Sequence, residues 1–184
     1  MFAFSSDLGS VQSQTAEVVY SLGLIQENVI NFASGASGLT PVPALWKASY
    51  SDDLAAVVGF YSDYDEASQD SDSLDQRIQT DSVTAAGQNY ATITTLALRQ
   101  AFGGLQFGGT TDKPYIFLKE ISSDGDIQTV DVIFPAYPIL VYLNATLGKF
   151  LLEPLFENQE SGQVSHATGN FPTVNGILPG HSIS

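Results

Sequence analysis

Cysteine is absent from this sequence, and basic residues are scarce, with six Lys+Arg against 20 Asp+Glu for a net charge of −14. The lack of cysteine excludes disulfides, thiolate metal ligands and thiol nucleophiles. A surface that binds nucleic acid or an anionic membrane needs clustered Lys and Arg, and no two basic residues here are adjacent. The apolar runs are far shorter than the roughly 20 residues that span a bilayer. We therefore expect neither a nucleic acid nor a membrane as a partner.

Histidine is also scarce, since His166 and His181 are the only two and both lie near the end of the chain. A Ser-His-Asp triad or a histidine metal site would have to use them. The sequence has no Ser-x-x-Lys pattern and no calcium-binding loop of the EF-hand type. We expect no metal and no cofactor, which leaves carboxylates as the groups that could carry chemistry.

The first part of the chain has the residue pattern of β-strands. Phe2 and Phe4 alternate with small residues, and residues 18–25 and 29–32 are rich in β-branched and aromatic side chains. Strands need partners to be stable, and no later segment stands out as a partner for these. The pattern predicts two or three strands within residues 1–32.

Glycine, serine and proline mark residues 33–50 as a linker, in which Trp46 and Tyr50 are the expected anchors. Apolar residues at spacings of three and four then predict one long helix over residues 51–86, capped by Ser51, with a strongly acidic outer face. A second, mostly apolar helix is predicted over residues 88–102. Together they form a helical hairpin.

A small β-hairpin is predicted over residues 104–121, followed by a polar turn at residues 122–126. Residues 129–143 are almost all apolar, and Pro135 and Pro138 predict a break between two short helices. A further helix follows over residues 145–160, and the tail after it has no periodicity. Asn144 could cap this helix, and it also begins an Asn-Ala-Thr glycosylation sequence.

Four carboxylates cluster around the polar turn: Glu120, Asp124, Asp126 and Asp131. Asp131 lies inside an apolar run, residues 130–134, where a carboxylate must be paired, capped or shifted in pKa. One interpretation is structural, with turn residues and a local cap. The other is that the cluster supplies a general acid or base.

Three segments also carry a family pattern: residues 90–104 (YATITTLALRQAFGG), 115–138 (YIFLKEISSDGDIQTVDVIFPAYP) and 151–160 (LLEPLFENQE). They closely resemble the fungal glutaminase A family. The opening residues 2–9 (FAFSSDLG) resemble the end of that family's N-terminal β-rich domain. The resemblance covers residues 2–161, and residues 163–170 depart from it.

The resemblance implies a mainly α protein: a partial (α/α) six-hairpin toroid preceded by a few strands of a truncated β-sandwich-type domain. The corresponding divisions are residues 1–38, 39–161 and a divergent tail at 162–184. The family's members are large secreted proteins, so the intact parent is expected to be extracellular. This chain is expected to be a fragment whose partner is the missing remainder of the same fold.

The activity that the resemblance implies is hydrolysis of glutamine to glutamate and ammonia, so the substrate is a small molecule. On the residues alone, Asp131 would activate water, and Glu120 or Asp124 would protonate the departing ammonia, with Asp126 beside them. The fragment by itself is expected to be inactive. Two other functions remain open: a glycosidase-like enzyme that uses paired carboxylates on a sugar, and a non-catalytic interaction module.

Overall fold

A computed structural model describes residues 3–11, 17–33, 39–120, 126–160 and 169–170. These residues are mainly helical, with short antiparallel strands, as the sequence predicts. The helices are α1 (Asp53–Ser62), α2 (Tyr64–Ala86), α3 (Gln88–Gly103), α4 (Val130–Leu143) and α5 (Ala145–Glu160), with a 3-10 helix at Leu45–Ala48. The strands are β1 (Asn28–Ala33), β2 (Leu39–Pro43), β3 (Leu105–Gly109), β4 (Pro114–Leu118), β5 (Asp126–Ile127) and β6 (Gly169–Asn170).

The six described strands form two antiparallel sheets, which are joined to each other at both edges. One antiparallel sheet has the order β2-β1-β6-β5, and β3 pairs with β4 in a second. Single bridges join the two sheets, one from Ala44 to Gly108 and the other from Lys119 to Ile127. The expectation that the early strands have no later sheet partner was therefore wrong.

Two apolar cores lie on opposite faces of β4, because successive side chains of a strand point to opposite sides. Tyr115 and Phe117 face a core shared with β1, β2 and Ile127. Ile116 and Leu118 face a second core, shared with α4 and α5. β4 is thus held from both sides.

The predicted strands at residues 2–5 and 18–25 were wrong in the described part of the chain. Residues 3–11 and 17–26 have no strand pairing, and Leu22 and Leu24 are 97% and 74% exposed. β-branched and aromatic composition favours a strand only where a partner strand supplies the hydrogen bonds. The anchor prediction for Trp46 is confirmed, because its indole N–H donates to the Gln26 carbonyl at 3.0 Å and its ring packs on the first core.

The helix predicted over residues 51–86 is divided in two at Asp63. Its N-cap lies one residue later than expected, at Asp52 instead of Ser51, because Asp52 Oδ1 accepts the Ala55 N–H at 2.8 Å. That hydrogen bond, followed by one from Ser51, lowers the pKa of Asp52. The second helix of the hairpin, α3, lies where it was predicted.

The break predicted at Pro135 and Pro138 was also wrong, since α4 runs through both prolines without interruption. Each proline removes the hydrogen bond to the carbonyl four residues earlier, at Asp131 and Phe134. Both of those residues are exposed, so water can serve these carbonyls. No helix in the described part of the chain combines the length and apolar character that a membrane crossing requires.

Candidate active site

The register of β4 and β5 places two of the predicted carboxylates opposite each other. The Lys119–Ile127 bridge extends the pairing by one residue, and the Glu120 N–H donates to the Asp126 carbonyl at 2.9 Å. Glu120 and Asp126 are therefore a directly opposed pair, and both are half-buried. Opposed residues of an antiparallel pair have Cβ atoms about 4.5–5.5 Å apart and point to the same face. Asp124 lies outside the described residues.

Asp131 lies in the first turn of α4 and is exposed. The sequence suggested a carboxylate embedded among apolar side chains. The helical period instead turns Ile133 into the core, while Asp131 and Phe134 face solvent. A carboxylate in the first turn of a helix is favoured by the positive end of the helix dipole.

Gln128, which joins β5 to α4, was not singled out by the sequence. It is fully buried, and among the described residues no other non-glycine residue has a positive φ (57°). Its side chain accepts from the Leu118 N–H at 2.6 Å and donates to the carbonyl of Leu151 in α5. No pattern around residue 128 signals this role, because its partners lie 10 and 23 residues away.

A second charged cluster ties the β3–β4 hairpin to α5. Glu157 Oε2 accepts from Tyr115 Oη at 2.5 Å and lies 2.8 Å from Lys113 Nζ. Although burial raises the pKa of Glu157, the hydrogen bonds from Lys113 and Tyr115 outweigh it and hold that pKa below its usual value. The hydrogen bond to Glu157, and then that to Tyr115, raises the pKa of Lys113. Burial, reinforced by the bond to Glu157, raises the pKa of Tyr115.

Comparisons with known proteins match two regions of the chain. The family model described as "Glutaminase A six helical-hairpin domain" matches residues 87–182, more than half of the chain. The chain belongs to this glutaminase A family. A second model, "Domain of unknown function (DUF5127)", matches residues 1–81.

Two curated relatives are similar to this glutaminase A family chain. Glutaminase A of Aspergillus oryzae is 49% identical over 163 residues, which is 89% of this chain and 24% of that protein. A protein of Arthroderma benhamiae named probable glutaminase is 37% identical over 179 residues, 94% of this chain and 20% of that protein. The chain therefore spans between a fifth and a quarter of the length of these relatives. No solved structure matches it.

The glutaminase A family chain also has a groove of about 310 Å³ between α2, α3 and α4. Its walls are apolar, including Ile78, Leu98 and Pro138. At its rim Tyr142 Oη donates to Asp81 Oδ2 at 2.6 Å, and this hydrogen bond raises the pKa of Tyr142. The carboxylates at the β4–β5 turn are not among its lining residues.

No group of three or more His, Cys, Asp or Glu residues within the described ranges is arranged to hold a metal ion. The described residues contain one pair of directly opposed carboxylates around this turn, Glu120 and Asp126. Asp131 lies a few residues further along the chain, in the first turn of α4. Carboxyl groups in two protonation states can act as a general acid and a general base.

Proposed function

We propose that the protein containing this chain hydrolyses glutamine to glutamate and ammonia. Membership of the glutaminase A family and the names of both relatives support this. The observation in the structure that supports it most is the opposition of Glu120 and Asp126 across the β4–β5 register. The substrate is accordingly a small molecule.

The proposed mechanism uses the carboxylates for proton transfer. Water adds to the side-chain amide carbon of glutamine while Asp131 takes a proton from it. The C–N bond then breaks, and Glu120 or Asp124 gives a proton to the departing nitrogen, which leaves as ammonia. Asp126 lies opposite Glu120 in this arrangement, on the same face of the β4–β5 pairing.

The test of this mechanism is Asp131→Asn in a protein of the relatives' length that contains this chain. General base catalysis contributes about 10²–10⁴-fold, so kcat/KM for glutamine should fall by at least about 100-fold. Asp53→Asn is the matched control, because Asp53 is also an exposed aspartate in the first turn of a helix. An unchanged kcat/KM for the Asp131 variant contradicts the assignment.

The same pair of opposed carboxylates supports a second candidate, a glycosidase-like hydrolysis of a sugar. A panel of glycosides assayed beside glutamine on that protein separates the two functions. Ammonia release without glycoside cleavage supports the glutaminase proposal, and glycoside cleavage without ammonia release supports the second.

We also propose that the 184 residues alone are inactive. α2 pairs with α3 and α4 packs on α5, while large apolar side chains remain in water at Leu54 (72% exposed), Phe60 (70%) and Phe134 (82%). Further hairpins of the same fold are the proposed partners of these surfaces. Ammonia release from glutamine by the purified 184-residue chain contradicts this.

An extracellular location for the full-length protein is the remaining part of the proposal, supported by its fungal glutaminase A relative. Fractionation of a fungal culture that expresses the full-length gene tests it. The protein is expected in the medium, and its confinement to the cells contradicts the proposal.

A further inference from the structure

Gln128 holds an uncommon backbone conformation in a fully buried position. Left-handed backbone is disfavoured for residues with a Cβ and persists only where the surroundings impose it. Such strained positions concentrate at functional sites.

The side chain of Gln128 replaces the main chain in the pairing with β4. Its own N–H donates to the Leu118 carbonyl at 2.9 Å, as in a regular antiparallel pair. The return bond, which a main-chain carbonyl would normally receive, goes from the Leu118 N–H to Gln128 Oε1 at 2.6 Å. Gln128 Nε2 also lies 3.4 Å from the Ile116 carbonyl. The pairing continues while the main chain is free to turn away into α4.

The same amide reaches α5. Gln128 Nε2 donates to the Leu151 carbonyl within α5. One side chain therefore fixes β4, the start of α4 and α5 to each other.

The elements that Gln128 joins are those that carry the candidate carboxylates. Asp126 precedes it by two residues opposite Glu120, and Asp131 follows it by three. We propose that Gln128 is a positioning residue, which sets the placement of the Glu120–Asp126 pair relative to Asp131. This inference rests on the proposed glutaminase function.

The experiment compares two variants in the full-length protein. Gln128→Met keeps the side-chain volume but loses both hydrogen-bonding groups. The kcat for glutamine should fall by about 10–100-fold, because a small displacement of catalytic groups lowers the rate by about this factor. The KM should change by less than about 3-fold. Gln128→Glu offers the same acceptor, and when protonated it also offers one donor. Burial raises the pKa of a glutamate at this fully buried position, so the kcat of Gln128→Glu relative to wild type should rise at least several-fold as the pH falls from about 9 to about 5.

Leu155→Ala is the control, because Leu155 is buried in the second core and is not part of the proposed site. It should lower thermal stability while leaving kcat within about 3-fold of wild type and the pH dependence of kcat unchanged. This separates a positioning role from a general loss of stability, which would not produce rescue of Gln128→Glu by acid.

The outcomes distinguish the two proposals. If the wild-type protein releases no ammonia from glutamine, the proposed function fails and the positioning role fails with it. If the wild type is active but the Gln128→Glu ratio does not rise in acid, or Gln128→Met matches Leu155→Ala in kcat, the positioning role alone is overturned.

Discussion

The contact of Tyr115 with Glu157 gives a prediction whose size can be worked out from the structure. Tyr115 is 7% exposed and donates to Glu157 Oε2 at 2.5 Å, while the Glu157 side chain is 27% exposed. A hydrogen bond to a charged group contributes about 1.5–3 kcal/mol, and partial hydration of the carboxylate reduces this to about 1–2 kcal/mol. The Lys113 side chain is 56% exposed, so its pairing with Glu157 adds only about 0.2–1 kcal/mol.

A double-mutant cycle of Tyr115→Phe and Glu157→Ala measures the first of these quantities. Urea unfolding of the 184-residue chain can be followed by the fluorescence of Trp46, the single tryptophan, which packs on the same core as Tyr115. The expected coupling free energy at pH 7 is about 1–2 kcal/mol. The corresponding cycle of Lys113→Ala and Glu157→Ala should give less than about 1 kcal/mol.

The coupling should depend on pH in one direction. The pKa of Glu157 is lower in the folded chain than its usual 4.5, so its stabilisation is fully present above pH 4.5. As the pH falls through the lowered pKa, the carboxylate takes up a proton and the stabilisation is lost. A coupling below about 0.3 kcal/mol at pH 7, or one that persists unchanged in strong acid, would refute the reasoning.

Two further predictions concern packing. Gly108→Ala should destabilise the chain by about 1–3 kcal/mol in urea unfolding, since its Cβ would lie 2.9 Å from Val29 Cγ2 and 3.0 Å from Val42 Cγ1; Gly103→Ala, where a Cβ meets nothing within 4 Å, is the control and should not destabilise. The 184-residue chain should also bind a hydrophobic dye through exposed residues such as Phe60 and Phe134. A monomeric chain that does not bind the dye would contradict the proposal that these apolar surfaces lack their partners.

Local sequence signals were sufficient to predict the elements whose ends are marked by glycine or whose apolar period is regular. Gly87 and Gly103 bound α3, and the apolar period of residues 145–160 matches α5. The β3–β4 hairpin also lies within the predicted residues 104–121. Periodicity and glycine placement report on contacts within a few residues, which is why these predictions are confirmed.

The failures share a physical cause, since each depends on partners distant in sequence or on the surroundings of a backbone group. Strand composition at residues 18–25 gives no pairing without a neighbouring strand. For the site, the sequence placed Glu120 and Asp126 near one turn, but the register that opposes them is set by bonds across β4 and β5. Gln128 could not be predicted, because its importance lies in contacts with Leu118 and Leu151.

The regions matched by the two family models meet between residues 81 and 87, and the first core contains residues from both regions. Val29, Ile30 and Phe32 of the first region pack against Tyr115 and Phe117 of the second. The helical pair α2–α3 also crosses the boundary between the regions, because the Arg99 guanidinium in α3 donates to the Asp75 carboxylate in α2.

This shared core has a consequence for the candidate site. β4 leads directly into Glu120, and its two faces are covered from different parts of the chain: β1 and β2 on one side, α4 and α5 on the other. The strand can hold Glu120 in register with Asp126 only while both faces are packed, because an exposed apolar face would favour rearrangement of so short a strand. The first region of the chain, whose family description assigns it no function, therefore supports the carboxylate pair from behind.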